Sequence, residues 1–380
     1  MAISVKAPHR DDTLEQQLDQ LHAELEEASG RFLGYPCNLA FDYEPLYRFL
    51  RFCLNNIGDP LGGSNFQVNT RAIERKVLQF FAELLHLPWP QAWGYVTSGG
   101  TEGNTYGLFL ARELHPNGIL YFSQDSHYSI LKTAKLLNLR NIMIRSLPNG
   151  EIDYQDLEAS ISVKREHPVI LCANIGTTMK GAIDDLGRVQ QIFERLAIHD
   201  SYIHCDAALS GMILPFVDNP PLFDFGAPIN SIAISGHKMI GAPLPCGVVL
   251  ARRALVKQIE RSIEYVGIMD TTLSGSRSGF TPLVLWYAIR THGRQGWRRS
   301  IQKVLQTTEA VLARLQEIGW PAWRNPHSNT IVIRRPSDEL VRRWQLAVKG
   351  DIAHLIVMPH TPMERVEQFL EELRREAQTL

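Results

Sequence analysis

The chain has 380 residues, of which 44% are hydrophobic and 21% are charged, and its formal net charge is −1. This composition is typical of a globular protein, while the balanced charge argues against a nucleic-acid partner and no apolar run is long enough to span a bilayer. A chain of this length predicts one large domain with a smaller one beside it.

The five cysteines are scattered along the chain and show no CxxC spacing. Their odd number and their spacing argue against a disulfide framework and against a zinc site, so we expect reduced thiols and no metal. The first ten residues lack the apolar segment of a signal peptide. Together these features predict a cytoplasmic protein without a membrane segment.

Residues 1–70 are predicted to form an N-terminal helical segment. Leucines at helical spacing in a charged stretch indicate an amphipathic helix over 11–29, which either packs on its own chain or clasps a partner. Further helices are predicted over 44–57 and 70–87. Between them, the Gly/Pro/Asn-rich loop 58–65 either lines a pocket or only connects the two helices.

Residues 71–290 are predicted to form a large domain in which apolar strands alternate with helices. The strands are predicted at 93–97, 118–122, 141–145, 168–174, 201–205, 230–234 and 246–251, and the helices between them at 103–113, 128–138, 153–161 and 185–198. This alternation indicates an α/β fold with a doubly wound, mostly parallel sheet of seven strands and helices on both faces. The short loop before residue 246 permits an antiparallel last strand.

The rest of the chain is predicted to form a small C-terminal α+β domain over residues 291–380. Helices are predicted at 253–265 and at 281–317, the second one broken near His292 and Gly293. After them the pattern indicates a strand at 329–334, a helix at 337–348, a strand at 352–358 and a helix at 362–378.

A phosphate site is predicted at Thr-Ser-Gly-Gly-Thr-Glu-Gly-Asn (97–104), between a strand and a helix. Glycines such as Gly100 allow close backbone approach, the helix N-terminus offers free N–H groups, and Ser98 and Thr101 add hydroxyls. Open α/β sheets bind ligands at such strand ends. A Gly-rich turn with a helix cap would contain the same residues.

Two further motifs hold polar side chains near predicted strand ends. His127, in Ser-His-Tyr-Ser (126–129), either lies against a conjugated ring and exchanges a proton, or caps a helix. Thr178, in Asn-Ile-Gly-Thr-Thr (174–178), either brings a hydroxyl to a cofactor ring or belongs to a turn.

An acid and a lysine follow at the ends of two later strands. Asp206 needs a cation or donors if it is buried, and a protonated pyridine nitrogen would supply one, with room for a flat ring beside Ala208. Lys238 comes 32 residues later and is flanked by Ser235 and His237, which are candidates for phosphate contacts. A buried, neutral lysine can form a Schiff base with an aldehyde. The structural alternatives are a helix cap for the acid and a surface position for the lysine.

Each motif has a plain structural explanation, and Arg277 in Gly-Ser-Arg-Ser-Gly (275–279) is either part of an anion site or the partner of a structural carboxylate. Together, however, the motifs supply a phosphate site, a ring stacker, an acid for a ring nitrogen and a lysine for an aldehyde. This combination predicts a pyridoxal 5'-phosphate (PLP) enzyme.

From about residue 34 to 358 the chain resembles the group II PLP-dependent amino-acid decarboxylases, which have the type I aminotransferase fold. The motifs that carry the resemblance are WGYVTSGGTEGN, SHYS, NIGTTMKGAIDD, HCDAALSGMILPFV, SGHKMIGAPLPCGVV and GSRSG. The branch looks like bacterial histidine decarboxylase. The segments LNNIGDP, VRRWQLA and GDIAHLIVMP are at least as similar to plant serine decarboxylases.

The resemblance implies catalytic roles for Lys238 in the Schiff base, for Asp206 at the pyridine nitrogen and for His127 on the ring and in protonation of the α-carbon. It implies a homodimer with active sites at the interface, in which Ser276 reaches the phosphate of the partner. The expected cofactor contacts are Ser98, Gly100, Thr101, His127, Thr178, Asp206, Ala208, Ser235, His237, Lys238 and Ser276.

The expected substrate is an amino acid: L-histidine, which would give histamine and CO2, or alternatively L-serine, which would give ethanolamine, or another small amino acid. His127, Tyr128 and Phe280 are the candidate substrate contacts, and segments 58–68 and 275–280 are the candidates for selectivity. Both branches commonly read Gly-Ser-Arg-Asn-Gly-His where this chain has Ser278 and Phe280.

Two other functions are compatible with the fold. A PLP lyase or desulfurase would use a reactive cysteine, for which Cys246 near the lysine is the candidate, although it opens an apolar run typical of a core strand. A homologue without activity would be expected to lack Lys238 or Asp206, and both are present.

Overall fold

The computed structural model describes residues 12–63, 65–259, 261–263 and 268–378. Its N-terminal part contains helix α1 (Asp12–Ser29), a 3-10 helix at Glu44–Phe49 and helix α2 (Arg71–Leu84). The helix predicted over 44–57 is therefore too long. Residues 54–56 instead pair with the backbone of 277–279, where Gly279 N donates to Leu54 O and Asn56 N donates to Arg277 O.

The central part of the chain alternates strands and helices, as predicted. Its strands are β1 (Ala92–Thr97), β2 (Ile119–Ser123), β3 (Arg140–Ile144), β4 (Val169–Asn174), β5 (Ser201–Asp206), β6 (Ser231–Ser235) and β7 (Gly247–Arg252). Its helices are α3 (Gly100–Leu114), α4 (Tyr128–Leu136), α5 (Tyr154–Ser162), α6 (Leu186–Arg195) and α7 (Arg253–Val256).

The seven strands form one sheet in the order β1-β7-β6-β5-β4-β2-β3. Strands β2 to β6 pair in parallel, whereas β7 is antiparallel to both of its neighbours, β1 and β6. This confirms the predicted α/β fold with a mostly parallel sheet, and the antiparallel strand is the one that follows the short loop. Because parallel strands are covered on both faces, β1, β4 and β5 are buried almost throughout.

Alternate side chains of β1 show how helices cover the two faces of the sheet. Trp93 and Tyr95 point to a cluster that includes Tyr106 of α3 and Ile130 of α4. Ala92 and Val96, which flank them, point to the opposite face and belong to the same cluster as the buried side chains of α2. This two-residue period is what a strand between two helical layers requires.

Helix α7 is much shorter than predicted, because the chain turns at 257–259 and a strand follows. Strand β8 (Arg261–Ile263) pairs antiparallel with β9 (Ile268–Asp270). Residues 260, 264 and 265 of the predicted helix, and residues 266 and 267 after it, lie outside the described residues. Helix α8 (Phe280–Glu317) is interrupted at Gly293, whose φ of 58° is left-handed. The break was predicted at this position, next to the expected domain boundary.

The C-terminal part forms a second, antiparallel sheet in the order β10-β11-β13-β12. Its elements are β10 (Ala322–Trp323), β11 (Thr330–Arg334), α9 (Asp338–Arg343), β12 (Ala347–Lys349), β13 (Ile352–Ile356) and α10 (Met363–Ala377). The helix predicted over 337–348 is wrong in its second half. It ends before Gln345, which has a positive φ of 50°, and the following residues form β12.

Within the described ranges, no helix combines the length and the apolar composition that crossing a membrane requires.

Candidate active site

A cavity of about 260 Å³ opens at the carboxyl ends of β4, β5 and β6. Side chains from these strand ends and from the starts of α3 and α4 line it on one side, and β11, β12 and β13 of the C-terminal sheet line it on the other. It brings together most of the residues predicted from the sequence, namely Gly100, Thr101, His127, Tyr128, Thr178, Asp206, Ala208, Ser235, His237 and Lys238.

Three predicted site residues lie outside this cavity. Ser98 and Ser276 line a separate cavity of about 140 Å³, where the Ser276 hydroxyl accepts a hydrogen bond from Asn55 Nδ2 at 3.1 Å. Phe280 begins α8 and packs against the core. The backbone N–H of Ser98 donates to Glu102 Oε2 at 2.6 Å in the loop at the start of α3.

Lys238 lies in the turn between β6 and β7, with its side chain partly exposed to the cavity. The N-terminal segment fixes this turn, since Asn38 N donates to Lys238 O and Asn38 Nδ2 donates to Met239 O, both at 3.1 Å. Desolvation lowers the pKa of Lys238, and the negative charge of Asp206 offsets part of this shift. The amine is therefore easier to deprotonate than an ordinary lysine.

Asp206 ends β5 and is 7% exposed. Its Oδ1 accepts from the backbone N–H of Ala208 at 3.2 Å, and its Oδ2 accepts from Asn104 Nδ2 at 2.9 Å. The carboxylate is thus held by two neutral donors and makes no ion pair with any residue that the structure describes, which leaves its charge available to a cation in the cavity.

His127 caps α4 and lines the cavity at the same time, so the two sequence interpretations do not exclude each other. Its Nδ1 is 3.3 Å from the backbone nitrogen of Ser129 and 2.8 Å from the Ser129 hydroxyl oxygen. A backbone N–H only donates, so Nδ1 must accept and the proton of the neutral ring sits on Nε2. Desolvation lowers the pKa of His127, against a smaller opposing effect of Asp206.

The start of α3 forms a narrow cradle beside β6. A Cβ atom added at Gly100 would lie 2.6 Å from the Ser235 hydroxyl, so only glycine leaves the space open. The first N–H groups of the helix have no partner within the helix and carry its positive dipole end. Thr101 and His237 line the cavity beside this cradle, and desolvation lowers the pKa of His237.

Sequence reasoning missed the residues that close the cavity from the C-terminal sheet. His354 of β13 places Nδ1 3.2 Å from Met179 O and Nε2 2.9 Å from Gly34 O, and so joins three distant parts of the chain. The segment Gly-Asp-Ile-Ala-His (350–354) contributed to the family resemblance, but its pattern only indicated a strand. Asn104 was also missed, although it belongs to the motif at 97–104.

A cluster of charges fastens the C-terminal sheet to the large one. Asp125, 7% exposed at the end of β2, contacts Lys180 Nζ at 3.1 Å through one oxygen and Lys349 Nζ through the other. Lys349 belongs to β12, two residues after cavity-lining Ala347, so this contact joins β12 to the loop after β2.

The described residues of loop 58–65 do not line the cavity. Arg71 donates to the carbonyl oxygens of Asp59, Gly62 and Gly63, and Ser64 lies outside the described residues. All five cysteines are free, and Cys246 is a core residue whose pKa burial raises to about 12, which does not suit a reactive thiol. In the described part of the chain, no three His, Cys, Asp or Glu side chains are grouped to hold a metal.

The comparisons with known proteins agree on one family. Residues 68–319 match the model of the pyridoxal-dependent decarboxylase conserved domain. The chain is 49% identical to histidine decarboxylase of Pseudomonas entomophila over 330 residues, which cover 86% of this chain and 82% of that protein. It is 45% identical to histidine decarboxylase of Mesorhizobium japonicum over 359 residues, which cover 94% of this chain and 97% of that protein.

A solved structure has the same fold. L-methionine decarboxylase from Streptomyces sp. 590, in complex with L-methionine methyl ester, superposes with a TM-score of 0.87 and is 27% identical. The superposition covers 97% of this chain and 95% of that one.

The cavity has the chemistry that PLP requires. The N-terminus of α3 and the space kept open by Gly100 suit a phosphate, the amine of Lys238 suits an aldehyde, and the carboxylate of Asp206 suits a pyridinium nitrogen. All of these groups line a single cavity. The chain belongs to the pyridoxal-dependent decarboxylase family, and it is a carboxy-lyase with pyridoxal 5'-phosphate as its cofactor.

Proposed function

We propose that this protein removes the α-carboxyl group of L-histidine as CO2 and releases histamine. The observation that carries the proposal is the 45–49% identity to two proteins named histidine decarboxylase, which extends over at least 86% of the chain. The match includes the large sheet and most of the cavity-lining segments.

Lys238, Asp206 and the cradle at Gly100 would hold the cofactor. Bound PLP supplies an aldehyde that captures amines and a cationic ring that withdraws the electrons left behind by CO2. Lys238 would hold the aldehyde, and its lowered pKa increases the fraction of neutral amine. Asp206 would keep the ring nitrogen protonated. The phosphate would lie at the α3 N-terminus among Gly100, Thr101, Ser235 and His237, with Thr178 near the ring.

His127 is the proposed proton donor to the α-carbon of the product. Its Nδ1 accepts from Ser129, so Nε2 is the nitrogen that carries a transferable proton. The ring of Tyr128 is 4.2 Å from that of His127, centroid to centroid, and its side chain is 67% exposed. Tyr128 is therefore the second candidate donor and a candidate contact for the substrate imidazole.

The imidazole of L-histidine needs an apolar wall with one or two polar partners. We propose that the part of the cavity closed by the C-terminal sheet provides it, because Ile356 is apolar and Thr330 and His354 are polar there. Exclusion of water in this closed space favours loss of the carboxylate, since the negative charge is poorly solvated.

We also propose a homodimer, located in the cytoplasm. The α1 leucines at positions 14, 18, 21 and 25 are each at least half exposed, which leaves an apolar stripe for a partner to cover. Because Ser276 and Phe280 lie outside the cavity of their own chain, a contact from either one to phosphate or substrate requires the other subunit. The free cysteines suit a reducing compartment.

The substrate is tested by incubating the purified holoprotein with each amino acid and identifying the amine. Histamine and CO2 from L-histidine are expected, and ethanolamine from L-serine without histamine would refute the proposal. Lys238→Ala should abolish product and the absorbance band of bound cofactor. The matched control is Lys257→Ala, which removes an exposed lysine just after α7 and should change neither.

The dimer is tested by light scattering of the full chain at several concentrations. A dimeric mass is expected for the wild type, and Leu18→Glu with Leu21→Glu should weaken the association because two charges would enter the apolar stripe. Glu24→Gln on the same helix is the control. A monomeric wild type with full activity would contradict the proposed assembly.

A further inference from the structure

Asn104 lies in the second turn of α3, where it lines the cavity, and is 1% exposed. None of the roles proposed above uses it. Its side chain nevertheless makes three hydrogen bonds, two to residues of β5 and one to a residue of α4. Nδ2 is 2.9 Å from Asp206 Oδ2 and 3.2 Å from Ser129 Oγ, and Oδ1 is 3.0 Å from His204 Nε2.

The orientation of the amide follows from its partners. An ionised carboxylate only accepts, so the NH2 group of Asn104 must face Asp206 and the amide oxygen must face His204. His204 therefore carries its proton on Nε2. Burial lowers the pKa of His204 to about 4, so the ring is neutral near pH 7 and its Nδ1 accepts from the Ser231 hydroxyl at 2.8 Å. Ser231 Oγ in turn accepts from Tyr202 at 2.8 Å.

Every donor in this chain of side chains thus points toward Asp206. If the amide of Asn104 were reversed, two oxygen atoms would face each other across 2.9 Å, and His204 would have to change its tautomer. The buried network on β5 and β6 therefore fixes the orientation of the amide that holds Oδ2 of the carboxylate.

The second hydrogen of the same NH2 group extends to the other functional residue. This hydrogen is donated to Ser129 Oγ. The Ser129 hydroxyl then donates its own hydrogen to His127 Nδ1. Asn104 is consequently connected to His127 through one intermediate residue, Ser129, and is in direct contact with Asp206. It is fully satisfied, with both hydrogens and the carbonyl oxygen in use.

We propose that Asn104 is a positioning residue that orients Asp206 and, through the Ser129 hydroxyl, reinforces the His127 tautomer that the Ser129 backbone N–H also favours. The inference rests on the proposed roles of Asp206 at the ring nitrogen and of His127 as proton donor. A merely structural Asn104 would join α3 to β5 without affecting either group. The two cases differ in measurements that do not depend on turnover.

The first test is the tautomer of His127, read by nitrogen NMR of the cofactor-free full chain and assigned with His127→Gln. Ser129→Ala and Asn104→Ala should each increase the fraction of rings with a proton on Nδ1. Because Asn104 acts through Ser129, the double variant should match Ser129→Ala alone. Unchanged rings in Asn104→Ala, or additive effects in the double variant, would overturn the proposal.

The matched control is Thr105→Ala. Thr105 Oγ1 lies 2.9 Å from Thr133 Oγ1, so this substitution removes a hydrogen bond between the same two helices, α3 and α4, without touching the network. The tautomer of His127 should remain as in the wild type. A change as large as that in Asn104→Ala would mean that the packing of α3 against α4, and not the Asn104 amide, determines the tautomer of His127.

The second test is cofactor affinity, measured by titration of the cofactor-free protein with PLP. Asn104→Ala should weaken binding by about 10- to 100-fold, as expected for loss of a hydrogen bond to a charged group, and Thr105→Ala should not. Asn104→Asp preserves the shape and carries the test if the alanine variant does not fold. The new carboxyl group can donate to Asp206 when it is protonated and repels Asp206 when it is ionised. The PLP affinity of the Asn104→Asp variant should therefore fall progressively below that of the wild type as pH rises.

The titratable groups facing this position are His127, His204, Asp206 and Lys238. All four are present in both the wild type and the Asn104→Asp variant. The ratio of the PLP affinities of these two proteins at each pH therefore reports the effect of the substitution. A constant ratio over the pH range would overturn the inference. If the wild type made no histamine, the proposed function would fail while both tests of Asn104 would still be decisive.

Discussion

Replacing Arg277 by methionine is expected to destabilise the protein strongly, because it leaves a buried carboxylate without its cation. Glu74 of α2 is fully buried, and Arg277, in the loop before α8, contacts both of its carboxylate oxygens. The distance from Arg277 Nη2 to Glu74 Oε2 is 3.3 Å. Breaking such a pair costs about 3–5 kcal/mol, compared with about 5–15 kcal/mol for the stability of a typical domain. The remaining donors, Val96 N at 2.9 Å and Asn56 Nδ2 at 2.8 Å, are neutral and offset only part of the charge.

Urea unfolding at fixed protein and PLP concentrations measures this loss. Arg195→Met is the matched control, because Arg195 makes a bidentate pair with Glu158 at 2.9 and 2.8 Å on the surface, and we expect its unfolding midpoint to stay near that of the wild type. Exchanging both Glu74 and Arg277 for apolar residues should recover much of the lost stability. A loss in Arg277→Met no larger than in Arg195→Met, or a double variant less stable than the single one, would refute the reasoning.

Three further substitutions test the site and its surroundings. Lys349→Met leaves Lys180 as the single cation on Asp125 and should raise KM for the amino acid several-fold with little change in kcat, so an unchanged KM in steady-state kinetics would contradict a role in closing the cavity. For His204, the folded pKa of about 4 lies below the ordinary 6.5, so the unfolded state binds a proton that the folded state does not, and stability is lost as pH falls. Relative to His204→Gln, the wild type should lose up to about 3 kcal/mol between pH 6.5 and 4 in urea unfolding, and a constant difference would argue against this pKa. Gly100→Ala places a methyl group 2.6 Å from the Ser235 hydroxyl and should weaken PLP binding at least about tenfold in an absorbance titration, whereas wild-type affinity would show that the cradle does not hold the phosphate.

The large sheet could be predicted because each of its strands is a short apolar run between helical stretches. Parallel strands buried on both faces leave this pattern in the sequence, and their carboxyl ends must meet at one edge. That rule predicts a shared edge for Thr178, Asp206 and Lys238, and all three line the same cavity.

The parts that were predicted wrongly, left open or missed depend on distant partners. Residues 347–349 have no strong strand pattern and form β12 only because β13 offers a pairing edge. The buried Glu74 decides that Arg277 is structural and does not bind an anion, and local sequence could not distinguish these outcomes. His354 was missed for the same reason, since its contacts lie in segments far from it in the chain.

The tie between the two ends of the chain has a consequence for synthesis. Asn38 bonds to the lysine turn across 201 residues, and Gly34 bonds to His354 across 320. On the ribosome, Asp206 and Lys238 emerge long before β13. The nascent chain therefore contains one side of the cavity before the other side has been synthesised. Contacts of such long range form late and slow the folding of a chain. A polypeptide stopped before residue 354 would therefore carry the residues proposed to hold the cofactor without β13, which lines the other side of the cavity.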